Sequence, residues 1–588
     1  MVRFLPLAAL SVFAFACAHG AASAEFPSAA QMEALAQQPP PAPAEKDNVI
    51  FVDRWDLKGP FPQTLEHVLH AATSQWEELL ATRVAQKQGT LQATEDMACV
   101  AREMGLFFLA KQGRASDALS EFIYGRCATA AERVSTAYLS GDVPATVTDE
   151  KLFAEWKADF EKMLNGSLVG GNRIAGVWFG RHEGRAVAMI ATGVRTAAVQ
   201  PVSLFPQDDG TVRISGELLI NAKHVAGSIN QGAYGYADCK ADPQAALPRF
   251  SFSCPVDVKD AHTRIELHVF QSGRLLGNLL MRVLAWPAKS PSNTYQAELR
   301  EGLVASPGTP AKVFASLVNQ VRKSAGQAPL TLSDAESAMA AKLAPHYFAA
   351  IFGAHNDETI ADKVVLGVRA GWNVGKPLRD GDFDSSLAPV PGDIASLVVD
   401  MLEHPQGRRT LLSPDASVVS FGPLLDDQQK VRAAIVGTYT LMEASHRTEL
   451  EGQVLARLNK LRAEKGAPPA KLRVLAGNDE AVSALAKGDA ARPVMDQLLK
   501  RSVTELNRSA QAWWVETNEI DNFEFDEVLL KNEPIEVSFA VGTSQRPSDP
   551  WMHYVVMCIV SSPGTGPMAV SPPSRLPAEK VRLAVFSM

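Results

Sequence analysis

Residues 313–343, VFASLVNQVRKSAGQAPLTLSDAESAMAAKL, open the stretch whose reading decides the fold; it passes through RAGWNV (369–374) and closes on MLEHPQGRRTLLSPDASVVSFG (401–422). Phe314, Leu317 or Val318, and Val321 share one face of a helix, which Gly326 and Pro329 stop. Ser333 is placed to cap a second helix, and Glu336, three residues on, to reach back and complete a capping box. A Leu-Leu pair and then Val-Ser-Phe close the stretch as a short strand.

The outline recurs downstream. Asn319, Arg322 and Gly326 are matched by Asn459, Arg462 and Gly466 in VLARLNKLRAEKGAPPAKL (454–472), at the same N-x-x-R-x-x-x-G spacing. At the far end LLSPDASVVSFG is matched by LLKNEPIEVSFAVG (529–542). An upstream segment carries only Gly89 and Leu91 at the first place, and MLNGSLVGGNRIAGVWFG (163–180) at the second. Each strand is followed by a turn and an apolar run: 186–193, 431–442 and 552–560. Helices first and a hairpin last describe one supersecondary plan used up to three times.

Between the first and second segments the texture changes to short alternating runs with Gly, Asn, Asp and Pro turns, among them VRISGELLI (212–220), RFSFSCPVDV (249–258) and RIELHVFQ (264–271). That pattern predicts an all-β sandwich insert. A chain of 588 residues exceeds one core. The expected division is a signal peptide over 1–24, a Pro/Ala-rich tether over 25–50, the first unit over 51–201, the insert over 202–290, the middle domain over 305–445, a third unit over 446–570 and a tail over 571–588. Within the first unit, residues from Asp56 on are expected to be helical, with Leu65, Val68 and Leu69 on the apolar face.

Arg3, the apolar run from Leu5 to Ala18 and Ala22-Ser23-Ala24 read as a signal peptide cleaved before Glu25; Cys17 leaves a lipoprotein as the alternative. No later apolar run reaches the roughly 20 residues of a spanning helix. The expected location is therefore secreted, periplasmic or in the cell envelope. Export favours disulfides, and proximity suggests Cys99–Cys127 and Cys239–Cys254, with Cys558 a buried thiol in an apolar run. A net charge of −8 gives nucleic acid no support as a partner.

The middle segment resembles the CAP superfamily, or SCP domain, whose landmarks are an N-x-x-R-x-x-x-G-x-x-x-L helix, a G-E-N element and an H-R-x-x-L-L run. Asn319, Arg322, Gly326 and Leu330 fit the first; Gly371, Asn373 and Val374 fit the second; Pro405, Arg408, Leu411 and Leu412 fit the third. The resemblance implies an α+β fold, a CAP-like α-β-α sandwich. It also implies a groove in which two histidines and two glutamates hold a divalent metal in many members. Here Trp372 stands where the family has Glu and Gly407 where it has His, and neither offers a metal a lone pair. The inherited metal site is therefore expected to be absent or severely weakened, and no cofactor is called for.

What remains as a ligand groove is His346, His355, Trp372, Asn373, His404 and Arg408, with His346, His355, His404 and Glu358 as the one set from which a metal site could be rebuilt. The plainer reading has His346 at a helix end and His355 and His404 facing solvent. His67 and His70 could share a helical face. Trp513-Trp514, ahead of an acidic run, reads as a core segment with a solvated face or as a binding surface. No nucleophile motif, H-E-x-x-H, phosphate loop or dinucleotide fingerprint occurs. The favoured function is a non-catalytic binding or envelope-associated protein, whose partner would be a small molecule, lipid, glycan or envelope protein. A metal-dependent hydrolase with rearranged ligands and a structural scaffold are the alternatives.

Overall fold

The computed structural model describes residues 26–561, apart from 40–48 and short stretches at 88, 169–170, 172, 258, 260, 272–276, 288–290, 297–302, 353–357, 443–446, 508–509, 521–522 and 546–548. The signal peptide, the Cys17 alternative and the tail lie outside the described residues. Among the described residues two compact units divide the chain: 30–365 with 382–438, and 366–381 with 439–561 and 26–29.

Three four-stranded sheets are wired alike. The first runs Leu91–Ala93, Arg173–His182, Arg185–Val194, Glu132–Asp142; its short edge strand is parallel to the next and the others are antiparallel. The middle sheet runs Thr331–Leu332, Val418–Leu425, Val431–Leu441, Leu378–Leu387, again with a parallel edge. The last runs Lys471–Leu472, Glu536–Gln545, Met552–Ser561, Gln511–Thr517 in the same pattern.

Both faces of these strands are buried, so alternate residues enter separate cores. In the first sheet Ile174, Val187 and Met189 pack with the helix Glu95–Lys111, while Ala175, Ala188 and Ile190 pack with Trp76, Phe160 and Leu164. In the last, Val537, Phe539 and Val556 pack with Leu450, Val454 and Leu458, while Ala540, Val555 and Met557 pack with Leu485 and Leu498. The Trp513-Trp514 doublet is split the same way: Trp513 joins Phe523 and Phe525 at ring-centroid distances of 5.8 Å, and Trp514 faces the other core. Helix–sheet–helix layering is thus written in the period-2 pattern of each hairpin.

The N-x-x-R-x-x-x-G spacing has a mechanical reason. Arg322 is fully buried and donates Nε–H to the Ala328 carbonyl at 2.6 Å, and its two terminal nitrogens to the carbonyls of Leu411, Ser413 and Ala416. Arg462 is also fully buried and donates to the carbonyls of Pro468, Leu529 and Glu533. Asn319 accepts from Leu330 N–H, and Asn459 from Ala470 N–H, both at 2.7 Å. Gly326 and Gly466 take φ of 73° and 70°, the left-handed turn that releases the chain from each helix into its edge strand.

Some expectations need correction. Ser333 Oγ does accept from Glu336 N–H at 3.3 Å, but the Ser333 N–H is used by the Val419 carbonyl, so the helix start is tied to the sheet. Residues 56–74 are extended up to a helix beginning at Gln75; Gly59, Pro60 and Pro62 break helical geometry, and Thr64–Leu65 pairs with Val202–Ser203. The stretch read as a tether contains a helix, Ala29–Ala36, that buries Met32 and Leu35.

The β-rich region forms two four-stranded sheets: Lys240–Ala241, Arg249–Pro255, Thr211–Leu218, Ala197–Val199, and Gly235–Asp238, His224–Gln231, Thr263–Phe270, Asn278–Ala285. Its first strand begins at Ala197, ahead of the expected boundary at 202. Cys239 lies between strands of the two sheets and is 2.07 Å, sulfur to sulfur, from Cys254. Cys99 and Cys127 stand 2.01 Å apart, linking the helix Glu95–Lys111 to the end of the helix Asp117–Arg126. Cys558 is a buried free thiol.

Candidate functional site

Strand Thr263–Phe270 decides the surroundings of the expected groove. Ile265, Leu267 and Val269 enter the sandwich core, which leaves Arg264, Glu266 and His268 on the other face. An ordinary surface strand would give that face to solvent. Here it is buried, with Glu266 and His268 at zero exposure, and on the neighbouring strand Arg282 sits directly opposite Glu266.

The partners come from segments far away in sequence. Arg264 and Arg282 each reach Glu121 at 2.7 Å, from the helix Asp117–Arg126, and Arg282 also holds Glu266 at 2.8 Å. His404, between the helices Ile394–Glu403 and Pro405–Leu412, lies 3.2 Å from Glu266 and 3.3 Å from Glu121. Arg264 also approaches Glu403 at 3.5 Å. Burial alone would raise the carboxyl pKa values, but Arg282 chiefly, with His404, holds Glu266 and Glu121 below their ordinary values. Nearby Asp384 shows the opposite: burial and neighbouring carboxylates raise it well above the usual range.

Arg408 completes the attachment. Its Nε–H donates to the Leu402 carbonyl at 2.7 Å, and Nη1 to the carbonyls of Gly232 and Gly235 at 2.7 and 3.0 Å, gripping a turn of the insert. Asn230 donates to the Glu403 carbonyl at 2.6 Å. At Gly407 a β-carbon would come 1.8 Å from the Met401 carbonyl oxygen and 3.0 Å from the Asp384 carboxylate, so the family histidine has no room there.

His404 is therefore not a solvent-facing residue; it is 8% exposed, inside an ion cluster, and Arg408 is 4% exposed. His346 lies within the helix Asp334–Phe352 and not at its end; it is buried, which lowers its pKa. Trp372 and Asn373 are exposed and belong to the other compact unit, where the Trp372 indole N–H donates to the Pro27 carbonyl at 3.0 Å. His355 and the side chain of Glu358 lie outside what the structure describes. Among the described residues no cluster of three or more His, Cys, Asp or Glu is arranged to hold a metal. His67 and His70 do not share a helix: His70 sits between Glu77 at 2.9 Å and Glu95 at 3.0 Å, while burial and Arg195 lower His67 to about 4.

The sequence reading passed over Glu121, Arg264, Glu266 and Arg282. The signal was present in the alternation R-I-E-L-H, where three polar residues share one face of a strand whose neighbour carries Arg282. What it lacked was a cue that a second surface covers that face.

The architecture defines an α+β protein with helix-sheet-helix layers and an added β sandwich. No family model matches the chain, and no curated protein matches it significantly. Among solved structures it is similar to an extracellular SCP-domain protein from Bacillus anthracis, at 11% identity and a TM-score of 0.18, covering 42% of this chain and 86% of that one. It is also similar to a cysteine-rich secretory protein from Staphylococcus aureus, at 8% identity and a TM-score of 0.17, covering 45% of this chain and 85% of that one. At those values neither likeness bears on function, and the class of the fold is read from its own sheets and helices. Among the described residues no helix is long and apolar enough to cross a membrane.

Proposed function

We propose that the chain is an exported, non-catalytic binding or envelope-associated protein built on three CAP-like units, the first carrying the β sandwich as an insert. One observation carries the non-catalytic reading. The part of the middle unit around His404 and Arg408 is taken up by the insert and by the helix Asp117–Arg126, with His404 held between Glu121 and Glu266 and Arg408 donating to main-chain carbonyls. A histidine committed to two buried carboxylates and two nearby guanidinium groups has no free position for a substrate or a metal. Three sheets of one strand order, with Arg322 and Arg462 making the same kind of contact, support the three-unit reading. Two disulfide pairs support export.

Metal analysis of the purified mature protein, beside His346→Ala and His404→Ala, tests this reading. The expected result is no stoichiometric divalent metal in any of the three. Stoichiometric zinc in the parent that is lost in either variant sinks the non-catalytic reading in favour of a rearranged metal site.

A further inference from the structure

A cavity of about 330 Å³ opens between the loop that begins at Lys58 and the segment Pro291–Asn293. Its size falls at the lower end of small-molecule sites. Phe61, Pro62 and Pro291 form apolar walls, Lys58 and Arg126 supply charge, and no carboxylate is found among the described residues that line it.

Arg126 sets its chemistry. The residue ends the helix Asp117–Arg126 and is 3% exposed. Its guanidinium lies 4.3 Å from the Phe61 ring centre and 5.2 Å from that of Trp286. Nη2 donates to the amide oxygen of Asn293 at 2.6 Å, an uncharged acceptor, and Nε and Nη1 have no hydrogen-bond partner among the described residues. A buried cation left with unmet donors is costly, and native proteins leave few such groups without a reason. Burial lowers its pKa to about 10, against the pull of Glu103. Glu103 cannot serve it fully: its oxygens already accept from Lys58 N–H, Gly59 N–H and Arg102.

The walls are fixed in advance. Glu103 and Arg102 pin residues 58–60 to the helix Glu95–Lys111, with Arg102 also donating to the Pro60 carbonyl at 2.9 Å. Cys127, next to Arg126, is tied to Cys99 on that same helix. Strands Arg54–Asp56 and Thr294–Gln296 pair directly beside the cavity and hold its two sides in register.

We propose that this cavity is a binding site for a small organic carboxylate, with the anion met by Arg126 and Lys58 and the apolar body against Phe61 and the prolines. The anion adds to the partial counter-charge that Glu103 gives Arg126, and walls pinned in advance favour the pairing. The site lies within the first segment and the stretch just after the insert, and does not depend on the three-unit reading.

Fluorine NMR titration of the full mature protein with 4-fluorobenzoate, 4-fluorobenzamide and inorganic phosphate as competitor tests it. Fluorobenzoate is expected to bind at least about tenfold more tightly than the neutral amide, a difference of one charge-assisted contact. Lys58→Gln and Arg126→Gln should each weaken it. Should Arg126→Gln fail to fold, Asn293→Asp replaces it: a carboxylate installed at the exposed Asn293 compensates Arg126 from within and should abolish binding. Equal affinity for the acid and the amide, or unchanged affinity in Asn293→Asp, overturns the proposal. Phosphate competing as well as fluorobenzoate overturns the assignment to a carboxylate with an apolar body.

Discussion

At the scale of single residues, two arginines explain more of the fold than any other pair. Arg322 and Arg462 are each buried and donate to main-chain carbonyls, and burial lowers the pKa of both. The planar fork of guanidinium reaches several carbonyls at once, which an ammonium cannot do. Arg322→Lys and Arg462→Lys should therefore each cost about 2–4 kcal/mol, as carbonyls lose donors in a dry site. Urea unfolding measures the loss. The two variants should affect different transitions if the compact units unfold separately, since the arginines lie in different ones. A loss under about 0.5 kcal/mol, the ordinary range of a neutral surface change, contradicts this role.

At the scale of elements, the approach to the helix beginning at Gln75 carries a pH-sensitive clasp. Burial draws the pKa of His70 down, but hydrogen bonds to Glu77 and Glu95 outweigh it and raise the value. Because the folded value lies above the unfolded one, the contribution to stability is complete below the unfolded pKa of about 6.5 and is lost as pH rises through the folded pKa. NMR titration of His70 should give a midpoint above that ordinary value, and Glu77→Gln should bring it down; a midpoint that stays put in the variant refutes the clasp. Legibility also divides at this scale. Helix stops at Gly326 and Gly466, the hairpins and the two cysteine pairs follow from local chemistry and could be read in advance. The run before Gln75 departs from the helical expectation because Gly59, Pro60 and Pro62 override its apolar spacing. The charged face of Thr263–Phe270 was missed because burial of a strand's second face is set by residues about 140 positions away.

At the scale of the whole molecule, three segments of one compact unit are joined by charges and not by apolar contact alone. Removing one member leaves others buried without a partner, so Glu266→Gln should cost about 3–5 kcal/mol near neutral pH. Its pH dependence has a defined sign. Glu266 has a folded pKa below its unfolded value, so its contribution is present above about pH 4.5 and is lost as pH falls through the folded value. The stability difference between parent and Glu266→Gln should therefore shrink as pH falls below about 4.5. A difference that does not change with pH shows that Glu266 is not charged in the folded protein. The same cluster makes the charged face of Thr263–Phe270 an internal joint.

The arginine that reads only main-chain carbonyls has a further effect. Every residue offers the same carbonyl, so Ser413 and Glu533, which lie outside the buried cores, can be exchanged without disturbing the acceptor that Arg322 or Arg462 grips. The loops so held are free to drift in spelling while their path stays constant. A framework anchored in this way asks little of the sequence beyond the asparagine, the arginine and the glycine that set the grip.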